Sequence, residues 1–369
     1  MKLRFIIALF CRITYIHAKK IVKSSQLPAQ NPSRSIQYWK ILQGLFWGTG
    51  LAIFGLLVFL PRVGLILFWN ILIPAAPALL VIATGVWRNL CPLASTAMLP
   101  ARLGISRKKQ LTITQQQTLN LLGVLFLFFL IPLRHVIFNI SGQATALVIF
   151  SLSVMAVSAG VIFESRSAWC AGLCPIQPVE RLYGSSVGIT VPNAQCGSCI
   201  KCSIPCPDST KNITIRSLKS RRSLITEILL AGGFPGFIWG WFQVPDYFAG
   251  NGLGKLYIVY GYPLLGAAVT IALYITLKRR FPENRRILVN IFGAAAVSCY
   301  YWFRLPQLLG FTNVPSSGIL VDLSAVIPSW TLNILRLATT GFFVWWMIIE
   351  NQKLRSWSKR PPYARRLDS

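Results

Sequence analysis

Four cysteines crowd into Cys196-Gly-Ser-Cys199-Ile-Lys-Cys202-Ser-Ile-Pro-Cys206-Pro207. The pattern is C-x2-C-x2-C-x3-C-P, the spacing with which bacterial ferredoxins hold a [4Fe–4S] cluster. Three thiolates at this spacing wrap three iron corners of one cubane, and the small residues between them let backbone amides approach the sulfurs. A zinc site more usually pairs C-x2-C units that lie far apart. In two-cluster ferredoxins the fourth cysteine of such a run ligates the other cluster. This chain has no second run. Cys196, Cys199 and Cys202 therefore need a fourth ligand, and Cys206 is either that ligand or part of another site.

Three more thiols precede the run. Trp87-Arg-Asn-Leu-Cys91-Pro92 and Cys170-Ala-Gly-Leu-Cys174-Pro175 share Leu-Cys-Pro, and a shift of 83 residues lays one on the other. Each follows a pair of apolar stretches, which marks a duplicated helical hairpin. Proline after cysteine stops one helix and bends the chain, so each thiol is expected at a fixed turn at the membrane surface. The plainer reading is a small apolar cysteine packed into a helix end. Cys91, Cys170, Cys174, Cys196, Cys199, Cys202 and Cys206 supply one full [4Fe–4S] site with three thiols left over, or two sites with one non-cysteine ligand. We expect Cys174 to complete the cluster begun by Cys196, Cys199 and Cys202, leaving Cys206 to face Cys91 and Cys170. Cys11 and Cys299 stand at no such spacing and are expected to be inert.

Paired spans ending in Cys-Pro turns, followed by this run, resemble the NapH/NosR/CcoG-type polytopic membrane ferredoxin family over roughly residues 40–215. Trp169-Cys170-Ala-Gly-Leu-Cys174-Pro175 matches the family's second C-x3-C-P turn. The chain departs from the family in two places: Trp87 stands where the first turn has its leading cysteine, and relatives commonly carry two ferredoxin runs. The resemblance implies electron transfer between the quinone pool, cytoplasmic donors and respiratory or metal-maturation partners. We therefore expect a membrane-bound iron–sulfur electron-transfer protein with one [4Fe–4S] cluster or two, and a quinone or membrane redox protein as partner. Metal maturation, redox sensing and non-redox metal binding or transport are the competing functions. No substrate pocket with acid–base residues is legible, which favours an electron-transfer subunit over a stand-alone enzyme.

The elements that position these thiols are apolar. Of 369 residues, 54% are hydrophobic and 12% charged, with a mean hydropathy of +0.57. Soluble proteins carry about 25% charged residues. Stretches long enough to cross a hydrocarbon core of about 30 Å fall near Leu42–Leu60, Val63–Trp87, Leu119–Leu133, Ala144–Phe163, Leu224–Phe242, Leu256–Leu277, Ile287–Phe303 and Trp330–Ile349. The third is short, and its helix has room to begin in the polar Gln115–Gln117 stretch. The expected fold is an all-α polytopic membrane protein of eight transmembrane helices with a small ferredoxin-like segment in a cytoplasmic loop. Its parts are a basic tail (1–40), the duplicated hairpins (41–184), the ferredoxin-type segment (185–222), four further spans (223–349) and a second basic tail (350–369).

The net charge of +28 is distributed in blocks. Eight crossings place 32 of the 37 lysines and arginines on one side, which is the cytoplasmic side by the positive-inside rule. Both termini and the cysteine run are thus expected at the cytoplasmic face of a bacterial inner membrane. Basic blocks between apolar spans suit an anionic leaflet and argue against nucleic acid as the partner. The apolar run Phe5–Cys11 is short for a signal peptide and lacks a good cleavage site, so residues 1–23 read as a basic or interfacial segment.

His17 and His135 are the only histidines, and they fall at opposite faces, which does not suit a bis-histidine haem. Arg134-His135 has two readings, contact with a quinone headgroup or interfacial anchoring. Arg336 reads as a functional charge within the last span or as one snorkelling to the surface. Glu227, one turn into the fifth span, reads as a proton relay or a helix cap. The proline-rich segments near 242–248 and 305–328 read as interfacial loops, or as re-entrant segments or lids.

Overall fold

The computed structural model describes residues 34–164, 168–184, 189–194, 220–248, 251–311, 318–350 and 358–359. The Cys196–Cys206 run, His17 and Cys11 lie outside the described residues, and so does the expectation of a ferredoxin-like fold there. The described chain is almost wholly helical. Eight of its helices are long and apolar enough to cross a membrane: Ile36–Phe59, Pro61–Ile82, Ile113–His135, Gly142–Ile162, Arg221–Phe242, Gly252–Arg280, Pro282–Leu308 and Ser329–Ile349. This is the build of a multi-pass membrane protein.

The elements are α1 (Arg34–Phe59), α2 (Pro61–Ile82), α3 (Thr84–Leu90), α4 (Pro92–Arg102), α5 (Ile113–Leu130), α6 (Gly142–Ile162), α7 (Ile176–Tyr183), α8 (Arg221–Phe242), α9 (Leu256–Arg280), α10 (Arg285–Leu308) and α11 (Ser329–Ile349). The second span ends earlier than the sequence suggests. Ala83 leaves the helical region at φ −130°, ψ 47°, so Val63–Trp87 is divided into α2 and the short α3 that carries Trp87. The third span does begin in the polar stretch. Thr112 caps α5 by accepting the Gln115 backbone N–H, while the Gln115 side chain accepts the N–H of Thr112. This reciprocal box satisfies two of the donors that a helix start leaves open.

The two halves of the chain meet through α7. Val179, Leu182 and Tyr183 are buried in one core with Val124 and Phe128 of α5, Leu230 and Phe237 of α8, Tyr274 of α9, Val289 and Phe292 of α10, and Phe343 and Met347 of α11. The Tyr183 hydroxyl donates to the Leu230 carbonyl at 2.5 Å. The four later spans, which no sequence motif explains, thus form the socket for the helix that follows Cys174. Within that socket α8 and α9 cross at glycines. A Cβ on Gly236 would stand 1.9 Å from the Gly266 carbonyl oxygen, so only glycine permits this approach between backbones.

Glu227 is not the cap of its helix. Its side chain is fully buried and accepts hydrogen bonds from the Tyr274 hydroxyl (2.7 Å), Lys278 Nζ (3.2 Å) and the Arg285 guanidinium (Nε at 3.0 Å). It joins α8, α9 and the start of α10, and the cap of α8 is Ser220 instead. Arg336 is half-buried, donates to the Trp302 carbonyl at 3.0 Å and lies 5.3 Å from the centre of the Trp302 ring. One pair of two-residue strands is described, β1 (Val191–Pro192) and β2 (Ser358–Lys359), aligned in parallel. It brings the chain's last described residues beside the lead-in to the cysteine run.

Candidate metal centre

Cys91 and Cys174 occupy the same backbone geometry. Cys91 has φ −54°, ψ 117° and Cys174 has φ −59°, ψ 118°. The following proline excludes the α region from the residue before it, so each cysteine ends one helical segment and begins another. α3 leads into Cys91 and α4 leaves it. A single π-helical turn, Trp169–Leu173, leads into Cys174, and α7 follows. The two Leu-Cys-Pro turns thus share the local backbone shape that proline imposes on the residue before it.

The turns meet because the helix leaving the first packs against the turn entering the second. Ala97 and Leu93 of α4 pack with Trp169, Cys170 and Cys174, and Ala156 of α6 closes this small core. The buried Arg88 of α3 forms an ion pair with the buried Glu180 of α7. A buried pair of this kind adds little net stability but strongly penalises loss of either partner, which fixes the two turns in register. α5 holds the second turn from the other side. Gln116 Nε2 donates to the Ala171 carbonyl at 2.9 Å, and the Asn120 amide donates to the Gly172 carbonyl at 2.8 Å. Gln177 ties α7 back to the Cys170 carbonyl at 2.9 Å.

Cys91, Cys170 and Cys174 consequently share one region. Burial pushes the Cys174 thiol pKa well up, and the neighbouring Cys170 and Cys91 push it further. The backbone amides of Ile176 and Gln177 act in the opposite sense, because their N–H groups are directed at the Cys174 sulfur. Amides aimed at a sulfur that cannot easily ionise alone suit a thiolate whose charge is neutralised by bound metal. The cysteines are thiols, not disulfides. Among the described residues, no three His, Cys, Asp or Glu side chains converge closely enough to enclose a single metal ion. Cys196, Cys199, Cys202 and Cys206 lie outside the described residues.

The chain enters that run from a docked position. Asn89, two residues before Cys91 and fully buried, donates from Nδ2 to the Pro192 carbonyl at 2.9 Å and accepts the Ala194 N–H at 3.1 Å. Sequence reading singled out the cysteines but missed Asn89, Arg88–Glu180, Gln116, Asn120 and Gln177. The signal available for α5 is the polar Gln115–Gln117 stretch at the head of an apolar span.

At the opposite end of the bundle Arg134 and His135 are buried, so interfacial anchoring is not their role. His135 Nδ1 and Asp246 Oδ1 are 2.5 Å apart, and the Arg134 guanidinium lies between the rings of Trp69 (5.3 Å) and Trp241 (5.2 Å). Arg304 donates to the Trp69 carbonyl and to Asn70 Oδ1, each at 2.8 Å. Burial raises the Asp246 pKa, but the His135 hydrogen bond and Arg134 outweigh it and hold the carboxyl below its usual range. The segment carrying Asp246 covers this cluster, with the Tyr247 N–H donating to the His135 carbonyl at 2.8 Å.

Fold and thiol geometry together define a multi-pass helical bundle with two equivalent Cys-Pro turns converging at one end. Compared with known protein families, curated proteins and solved structures, the chain matches none.

Proposed function

We propose that the protein is an iron–sulfur electron carrier of the membrane, exchanging electrons between the quinone pool and a redox partner. The observation that carries this reading is that Cys91, Cys170 and Cys174 lie near one another, on turns beside which residues 192–194, the lead-in to the Cys196–Cys206 run, are held. In this reading Cys174, Cys196, Cys199 and Cys202 hold the main [4Fe–4S] cluster. Cys206, Cys91 and Cys170 either hold part of a second or stand beside the first. The bound cluster supplies one-electron chemistry. The chain's own residues aim amides at the Cys174 sulfur and fix the two turns through Arg88–Glu180. The resemblance to the NapH/NosR/CcoG-type family supports the quinone pool as one partner and the cytoplasmic face of a bacterial inner membrane as the location.

Protein purified without oxygen should be brown and contain about four irons per chain, or about eight if the remaining thiols assemble a second cluster. Its reduced form should give the paramagnetic resonance signal of a [4Fe–4S] centre, and quinol should shift the redox state of that signal. Stoichiometric zinc without iron would overturn the proposal in favour of a non-redox metal binder. A cluster indifferent to quinol but able to reduce a metal ion would move the function to metal maturation.

A further inference from the structure

We infer that Gln116 and Asn120 of α5 are positioning residues for Cys174: their carboxamides occupy carbonyls of the turn before it and so leave the Ile176 and Gln177 amides to the sulfur. The use made of those amides rests on the electron-carrier reading, whereas the exchange of partners stands on geometry. In the turn Trp169–Leu173 each amide reaches back five residues. The Leu173 N–H donates to the Ala168 carbonyl and the Cys174 N–H to the Trp169 carbonyl, both at 2.8 Å. Continued in the same way, residues 175, 176 and 177 would serve the carbonyls of Cys170, Ala171 and Gly172. Pro175 has no N–H to give. The N–H groups of Ile176 and Gln177 are directed at the Cys174 sulfur instead. Three consecutive carbonyls are thereby left without the amide that the turn would supply.

Side-chain carboxamides take the place of all three. The Gln177 amide donates to the Cys170 carbonyl at 2.9 Å, and Gln116 Nε2 donates to the Ala171 carbonyl at 2.9 Å. The Asn120 amide donates to the Gly172 carbonyl at 2.8 Å and to the Ala171 carbonyl at 3.2 Å. Gln116, Asn120 and Gln177 are each more than nine-tenths buried, where an acceptor without a donor is costly. Sulfur is a weak acceptor beside a carbonyl oxygen, so the backbone amides would return to the carbonyls if no other donor filled them. Gln116, Asn120 and Gly123 lie at i, i+4 and i+7 on one face of α5. That face follows the carbonyls of residues 171, 172 and 173 in order, since a Cβ on Gly123 would stand 2.5 Å from the Leu173 carbonyl oxygen. Hydrogen bonds to a ligating sulfur are one lever on the potential of an iron–sulfur cluster. Polar residues within an apolar span thus act on the sulfur through the backbone they satisfy.

The test follows a single amide. Pro175-Ile176 is the chain's one Pro-Ile step, so magnetic resonance of full-length protein in lipid, isotope-labelled at proline carbonyls and isoleucine amides, isolates the Ile176 N–H. In metal-free protein Cys174→Ala should displace this resonance, because it removes the acceptor. Gln116→Met and Asn120→Leu are close in size and have no donor. In either background Cys174→Ala should lose most of its effect, the amide having gone back to a carbonyl. The two are made singly, so that either alone decides. Thr118→Val, which removes a hydroxyl bonded to the Thr114 carbonyl of the same helix, should leave the effect in full. An equal displacement with and without the carboxamides would overturn the inference. So would no displacement in the unaltered chain, since the amide would then not be on the sulfur. In iron-loaded protein both variants should lower the midpoint potential, because N–H groups at sulfur favour the more negative reduced cluster. An unchanged potential would overturn the use assigned to the amides. The resonance needs no iron, so a protein that binds no cluster fails the electron-carrier reading alone, and the exchange of partners is still decided by its own spectrum.

Discussion

Cys174 is the residue on which the competing ligand sets diverge. Cys174 is half-buried, and its sulfur receives the amides of Ile176 and Gln177 and shares its region with Cys170 and Cys91. Cys206 follows its run at ferredoxin spacing and competes for the same coordination position. A serine hydroxyl is a poor iron ligand beside thiolates, so the two are separable by substitution. Cys174→Ser should remove the main cluster and its four irons, whereas Cys206→Ser should leave that signal in place, both read by iron content and paramagnetic resonance. The reverse pattern would return Cys206 to its own cubane and make the turns a structural support. The cysteines stand out in the sequence because the metal ligation proposed for them demands a residue type at a fixed spacing. Asn89, Gln116 and Asn120 were not, because a polar side chain within an apolar segment has no spacing rule. Its partner is a backbone carbonyl or amide brought near only by the tertiary fold.

Among the elements, all eight spans were legible, since the need for about 20 apolar residues per crossing leaves a strong mark. The exception at Ala83 is instructive. Hydropathy continues through Trp87, but the helix does not, and the break creates α3 and with it the placement of Arg88 and Asn89. A local backbone departure without proline or glycine carries no compositional signal. The role of the last four spans was equally hidden, because packing on Val179, Leu182 and Tyr183 is a property of surfaces and not of motifs. One close approach between elements controls the second turn. A Cβ on Gly123 of α5 would stand 2.5 Å from the Leu173 carbonyl oxygen. Gly123→Val must therefore push the π-helical turn away from α5, a strain of about 1–3 kcal/mol. The protein should still insert and assemble, but with a lower thermal midpoint and iron content reduced through displacement of Cys174. Gly44→Val, where nothing lies within 4 Å of the added Cβ, is the control expected to change neither quantity.

For the whole molecule the question is which end faces the cytoplasm. An even number of crossings would put the two tails on the same side, and residues 358–359 pair with Val191–Pro192, beside the cysteine turns. The basic residues divide accordingly, with 32 of 37 assigned to that side. The structure sharpens the count at the far end. Arg134 and Arg304 are buried in contacts with tryptophan rings, Asn70 and the Asp246 segment, so they are not loop charges presented to a lipid surface. Arg62 and Lys255 remain as exposed cations of the far end. That asymmetry should orient the chain with its cysteine turns inward, because short loops rich in Lys and Arg are retained on the cytoplasmic side. Topology reporters inserted at Ser185 and Asn251 test this directly. An alkaline phosphatase fusion should be inactive at Ser185 and active at Asn251, and a fluorescent protein that folds only in the cytoplasm should give the opposite pair. The same readout at both positions would break the eight-span count. An exchange of the two readouts would put the thiols outside, against an anionic leaflet that the charge distribution does not match, and would remove cytoplasmic donors from reach of the proposed cluster.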